Sequence, residues 1–485
     1  MIMRTRDNRW LALAVVCLGQ LMMILDATIV AVALPAIKTD LGFSASSLTW
    51  VPNAYLIAFG SFLLLGGRLA DLIGRTRMFL AGIAIFTGAS LLCGFAGSEG
   101  TLIAARFAQG FGAAVCASAV LALIVVEFPG PLERIRAMSA YTFVSVAGAS
   151  IGLITGGLLT QALDWHWIFF INLPIGAAAF ALGLMTLPRD RGIGIGQDLD
   201  VIGSALITVA SMVGIYAIVG SEEHGLVWAL RLGAVAVTLV AAFIAYERQN
   251  ENPILPLAVM RLRSLMVASS VRALMVCGMW ATFFVGALYL QRVLGMGPIA
   301  AGAAFLPQTL TVAALSLGPS ARLTARFGER RVLIAGLSIL VIGLVVFALA
   351  LQPGAAYFPG PAIAFTLIGV GAGLSFMTLM TLALADVPAR DAGIASGVIN
   401  VSTQISAAVG LAVLGTIAAS RTNALDASGE SATQALSGGY QLAFVVAAGC
   451  VAAALVAAIA WMRAPSREGE VDAEAEREVE LELAA

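Results

Sequence analysis

Arg68-Leu69-Ala70-Asp71-Leu72-Ile73-Gly74-Arg75-Thr76-Arg77 and Arg322-Leu323-Thr324-Ala325-Arg326-Phe327-Gly328-Glu329-Arg330-Arg331 are two versions of one pattern. Four of the ten positions are identical, and the second copy begins 254 residues after the first. Each follows a long apolar run and precedes another, and each reads as a tight, basic, glycine-bearing turn at a membrane surface. A turn that recurs at this distance in 485 residues points to two similar halves. Repeated halves are a plan of secondary transporters, which hold their substrate near the midplane between them.

The composition around these turns is that of a membrane protein. Hydrophobic residues make up 60% of the chain and charged residues 11%, against about 25% charged in soluble domains. A soluble enzyme, a disordered chain and a disulfide scaffold are excluded at once. A net charge of −1 gives no field that would draw nucleic acid or another polyanion. Arg outnumbers Lys 26 to one, Lys38, a coding bias that carries no mechanism. Cys17, Cys93, Cys116, Cys277 and Cys450 lie singly in apolar runs without CxxC spacing, so they read as small buried residues. The N-terminus has the look of a signal peptide, with Arg4, Arg6 and Arg9 before an apolar run and Ala31-Val32-Ala33 after it. The run is too long for one, and it is read as the first span.

Charges punctuate the chain and leave uncharged windows long enough to cross a bilayer. Spans are expected at 11–33, 49–67, 78–97, 101–126, 138–161, 167–187, 200–219, 228–246, 267–289, 300–320, 331–351, 360–384, 392–418 and 438–462. Fourteen spans of about 20 residues need roughly 280, which the chain supplies. With the N-terminus inside, the inner segments hold 21 Arg and the outer ones only Lys38, Arg292 and Arg421. Positive charge collects on cytoplasmic loops, so both termini are expected in the cytoplasm. The expected plan is an all-α integral membrane protein with a six-helix half (1–195), an inserted pair (196–250) and a second six-helix half (251–463). The tail, 464–485, carries eight acids between Glu468 and Glu482 and reads as solvated and disordered.

Several further stretches, each on its expected helix, resemble the major facilitator superfamily. Gly67-Arg68-Leu69-Ala70-Asp71 with Gly74-Arg75 is similar to that family's loop motif, with Leu72 where an Arg is usual. Leu25-Asp26-Ala27-Thr28-Ile29-Val30 through Ala33-Leu34-Pro35 resembles the first-helix motif of drug:proton antiporters. Arg106-Phe107-Ala108-Gln109-Gly110 matches the fourth-helix motif linked there to proton transfer. Trp165-His166-Trp167-Ile168-Phe169 with Ile171-Asn172-Leu173-Pro174, Tyr289-Leu290-Gln291 and Gly393-Ile394-Ala395-Ser396-Gly397 fit the fourteen-helix branch of the EmrB/QacA type, with His166 in place of an Arg. The antiporter motif of the fifth helix reads Gly152-Leu153-Ile154-Thr155-Gly156-Gly157, with Leu153 for the usual Pro. Gly148, Gly152 and Gly156 still recur at four-residue steps, a face on which helices approach closely.

The resemblance implies a proton-coupled multidrug exporter of the bacterial cell membrane, not an enzyme, working by alternating access without a cofactor. Gly67, Arg68, Asp71, Gly74, Arg75 and the fifth-helix glycines would then govern the conformational change. Its expected partners are protons, lipid and hydrophobic small molecules, cations included, with a monomer as the working unit. The residues themselves single out Asp26, the one carboxylate well inside a span. At 1.5 Å per residue it lies about 11 Å from the outer surface, and Arg106 about 7 Å. A charge in hydrocarbon costs roughly 2.5–3.5 kcal/mol even on lenient scales, so a working role is expected of both. Burial favours the neutral acid and a guanidinium favours the carboxylate, which suits a group that takes up and releases a proton. Gln20, Asn53, Tyr55, Gln109, Asn172, Gln291, Gln308, Asn400 and Gln404 are candidate polar linings of a cavity, and Phe283, Phe284, Met377 and Met380 a candidate apolar wall. No GxxxxGK[ST] stretch exists to power export by nucleotide hydrolysis. Proton-linked uptake of a metabolite is the competing transport reading, and a membrane enzyme or sensor the competing class.

Overall fold

A computed structural model describes residues 6–44, 47–128, 131–188, 192, 200–250, 262–316, 318–387 and 392–462. Of the residues named above, the side chains of Arg6, Asp71, Asn400 and Gln404 fall outside that description, as do Gly393 to Gly397 apart from their helical backbone and the whole acidic tail. The described residues form helices and no strand. The long ones are α1 (Arg6–Leu41), α2 (Trp50–Ile73), α3 (Arg75–Gly94), α4 (Glu99–Glu127) and α5 (Pro131–Ala162). They continue with α6 (Trp167–Thr186), α7 (Val201–Val219), α8 (Leu226–Glu247), α9 (Arg263–Arg292) and α10 (Pro298–Ser316). The last are α11 (Glu329–Ala350), α12 (Gly360–Leu384), α13 (Ala392–Ala427) and α14 (Ala432–Trp461). Among the described residues, ten helices are long and apolar enough to cross a membrane. The other four, α2, α5, α7 and α13, are 24, 32, 19 and 36 residues long.

Helix starts follow local chemistry. Ser98 and Thr101 form a capping box at α4, Ser431 and Gln434 another at α14, and Asp200 Oδ1 accepts from Gly203 N at 2.8 Å to begin α7. The repeated turn is a different object from the one expected. Arg68 to Ile73 stay helical, and one residue, Gly74 at φ 113°, separates α2 from α3. In the second copy Pro319–Phe327 is a helix of its own, and Gly328 at φ 82° separates it from α11. A positive φ is nearly free for glycine, so each chain reversal is compressed into a single residue.

Helices α1 to α6 pack on one another, α1 on α5 and α4 on both α2 and α3. Helices α9 to α14 make a second bundle, with α9 on α13 and α14 and α11 on α12. The bundles meet where α2 lies along α13 and where α5 lies along α10. The inserted pair is central in sequence and peripheral in space. Helix α7 packs on both α2 and α13, with Thr208 donating to Ser61 O at 3.1 Å, and α8 packs on α7.

Contacts between the bundles gather on the side away from the start of α1 and the end of α14, here the far side. Gln291, at the end of α9, donates to Val32 O at 3.2 Å. Gly157 of α5 lies on the backbone of Pro298, and Gly302 of α10 on the backbone of Leu153. Gly415 of α13 faces Thr49, just before α2. Small residues let these backbones touch, and in lipid such packing is a main source of helix association.

Candidate functional site

Asp26 and Arg106 lie just beneath this far-side contact and are 0% and 1% exposed. Glycines bring their helices together. Gly110 packs on the backbone of Tyr55, which draws α4 against α2. The stripe on α5 packs along α1 around Asp26: Gly148 on Leu21 and Ile24, Gly152 on Leu25 and Thr28, Gly156 on Ile29. A Cβ at Gly156 would come within 2.7 Å of Ile29 O.

The two charges pair directly, Arg106 Nη1 to Asp26 Oδ2 at 2.6 Å. The second carboxylate oxygen, Oδ1, accepts from Gln109 Nε2 at 2.7 Å and Asn172 Nδ2 at 2.9 Å. Gln109 Oε1 accepts in turn from Arg106 Nη1 at 2.6 Å and from the Cys93 thiol at 3.6 Å. Ser90 donates to Phe86 O at 2.9 Å, so its oxygen is turned to accept from Gln109 at 2.7 Å. Arg106 Nε donates to Val51 O at 3.1 Å, and the guanidinium lies 4.5 Å from the centre of the Tyr55 ring and 5.8 Å from that of Phe169. A buried ion pair persists only when its other donors and acceptors are largely met, and here Val51, Gln109 and Asn172, on three helices, hold it. The Tyr55 hydroxyl and Asn172 Oδ1 of this site are buried without a partner, and so are both amide atoms of Asn53, elsewhere on α2. Such groups are costly in a dry interior and favour the entry of water or a polar ligand atom.

A cavity adjoins the pair and runs between the bundles. Tyr55 and Arg106 form part of one wall, and Trp280, Phe283, Phe284 and Leu411 of the second bundle form the other. Phe283 stacks on Phe305 at 5.8 Å.

The structure therefore joins Asp26 to Arg106 and brings Tyr55, Phe283 and Phe284 to the cavity. It moves Gln109 and Asn172 from the expected cavity lining to the clamp on Asp26. Gln291 ties α9 to α1, Gln20 is buried, and Gln308 is buried with Oε1 unmet. Met380 is half-buried against the core and Met377 is exposed; neither adjoins Arg106. Gly67, Arg68 and Arg75 are half-buried around the break at Gly74. His166 bonds to Asp164 at 3.0 Å and stacks on Trp165, whose Nε1 donates to Asp40 at 2.9 Å and pins the end of α1. Ser90, Cys93 and Trp280 were missed by sequence reasoning, because a lone Ser, Cys or Trp in an apolar run carries no signal of its own.

Two helical bundles with an ion pair buried beside the cavity between them define a multi-pass membrane transporter. The chain belongs to the major facilitator superfamily, whose family model matches residues 16–411. It is 38% identical over 472 residues to the puromycin resistance protein pur8 of Streptomyces alboniger, covering 96% of this chain and 93% of that protein. It is 34% identical to the cephamycin export protein CmcT of Amycolatopsis lactamdurans, covering 85% of each. Among solved structures it resembles an auto-inhibited POT family peptide transporter, with TM-score 0.67, 16% identity and coverage of 95% of this chain and 98% of that one. A bacterial homologue of the lysosomal transporter Spinster, inward-facing and occupied, gives TM-score 0.66 at 15% identity over 94% and 97%.

Proposed function

We propose that this protein exports small hydrophobic compounds, antibiotics among them, in exchange for protons. The observation that carries the reading is the Asp26–Arg106 pair, 2.6 Å apart and sealed from solvent beside the cavity between the bundles. Protonation of Asp26 removes the negative half of the pair and frees Arg106, and with it Tyr55, to respond to cargo. Loss of the proton restores the clamp. The relative CmcT is named as a cephamycin export protein and pur8 as a puromycin resistance protein, and the exchange needs no cofactor beyond the proton gradient.

In this reading fourteen helices cross a bacterial cell membrane, both termini are cytoplasmic and the far side is the outside. The Arg distribution supports that orientation, and the described conformation is then closed to the outside. Residues 1–195 and 251–463 act as the two moving halves of a monomer, and α7 and α8 brace the seam between α2 and α13. Gly67, Arg68, Asp71, Gly74 and Arg75 govern the hinge at the α2–α3 break, and the α5 glycines let α5 slide on α1. Cationic cargo would need a carboxylate turned to the cavity; that of Asp26 is held by three donors.

The test is a panel of toxic compounds on cells with and without the protein, each with a protonophore control. Export predicts lower accumulation of some compounds, reversed by the protonophore. Accumulation driven by an acidic outside would identify uptake instead.

A further inference from the structure

The second bundle holds a cation that the proton-exchange reading does not use. Arg272 lies 9 residues into α9, which begins at Arg263. Its Nε donates to Thr403 Oγ1 of α13 at 2.9 Å, and its guanidinium lies 5.1 Å from the centre of the Phe376 ring of α12. Thr403 donates its own proton to Ile399 O at 2.7 Å, so its oxygen is fixed as an acceptor. The guanidinium is thus held along one edge and over one face, and its two terminal nitrogens remain. Among the described residues the ion pairs are Arg9–Glu133, Asp26–Arg106 and Asp164–His166, and none of them involves Arg272.

Its position gives that fork a use. Phe283, which walls the cavity, is 11 residues further along α9, three helical turns, so the two share a face about 16 Å apart. Arg272 therefore stands on the same face of α9 as Phe283, three turns nearer the helix start. An unpaired cation among membrane helices is a functional group by default. A planar guanidinium fixed at Nε offers two parallel donors, the geometry that takes a carboxylate through both oxygens.

We propose that Arg272 recognises the cargo, and that the cargo is an aromatic or otherwise apolar compound bearing a carboxylate. The carboxylate is held on the Arg272 fork, and the apolar part extends along that face of α9 towards Phe283. This rests on the exporter reading, and it narrows the cargo from hydrophobic compounds in general to hydrophobic acids. An inside-negative membrane potential favours outward movement of an anion, so such cargo adds to the drive of the proton gradient.

The test is equilibrium binding to the full chain in nanodiscs of zwitterionic lipid, read by quenching of naphthalene fluorescence. The probes share one ring system: naphthaleneacetate, naphthaleneacetamide and naphthylethylammonium. The proposal predicts acetate binding at least tenfold tighter than acetamide. Arg272→Gln should bring the two within about twofold while acetamide affinity stays as in the wild type, which also shows that the variant is folded. Arg272→Lys keeps the charge without the fork and should fall between. Equal binding of acetate and acetamide by the wild type, an unchanged preference in Arg272→Gln, or no binding of any probe overturns the proposal. So does loss of the preference when phosphatidylglycerol is added, which would assign the guanidinium to lipid headgroups. Binding needs no proton exchange, so this result stands apart from success or failure of the exporter reading.

Discussion

Gln109 donates Nε2 to Asp26 Oδ1 at 2.7 Å. Its Oε1 accepts from Arg106 at 2.6 Å, so one side chain bridges both charges of the pair. This placement explains why Arg106 and Gln109 stand three residues apart on α4, since that spacing puts them on one helix face. A hydrogen bond to a charged group contributes about 1.5–3 kcal/mol. Gln109→Leu should therefore slow proton-coupled transport by about tenfold or more. Initial rates in proteoliposomes against equilibrium binding of the same compound check it. A rate within twofold of wild type would show that Arg106 and Asn172 hold Asp26 without help.

The α5 stripe makes a prediction about stability. A Cβ at Gly152 would collide with the Thr28 hydroxyl and the Leu25 backbone, one turn around Asp26. Overpacking of this kind costs about 1–3 kcal/mol. Gly152→Val should lower the melting temperature in detergent and abolish transport. Adding Thr28→Ala should recover part of the loss, because it removes one of the two colliding groups. No recovery in the double variant would place the strain on the Leu25 backbone alone.

The far-side contacts predict a lock. Gly415 of α13 faces Thr49, just before α2, and a Cβ added there would lie 3.5 Å from the Thr49 methyl, an ordinary contact. Cysteines at both positions, in a background without the native five, should cross-link with a short bifunctional thiol reagent and stop transport. A cleavable linker should restore the rate after reduction. Full transport by the cross-linked protein would show that this seam stays shut through the cycle.

Much of this was legible in the sequence, for reasons that show where the reading stopped. Charges are costly in lipid, so they mark span ends, and the expected spans fall on the helices found. Depth along a helix follows from residue count, and this alone set Asp26 and Arg106 at similar levels before the structure joined them. Distance around the bundle does not follow from it. Asn172 reaches Asp26 from α6 and Ser90 joins from α3, and neither meeting leaves a trace in local periodicity. The repeated motif was visible as a repeat, but a break of one residue at Gly74 inside two helices looks like a turn when only composition is read. Arg272 falls inside the expected span 267–289, but its partners Thr403 and Phe376 lie on other helices, so the sequence alone gives it no role.

The most direct test of proton exchange at Asp26 is substrate-induced proton release from proteoliposomes carrying Asp26→Asn. Asn keeps the size and much of the hydrogen bonding of Asp26 but cannot exchange a proton. Removing a buried charge also relieves a cost of insertion, so the variant should fold and enter the membrane. The account predicts wild-type yield, substrate binding within a fewfold of wild type, and no proton release. Proton release from Asp26→Asn at the wild-type rate would contradict it and place the coupling carboxylate elsewhere.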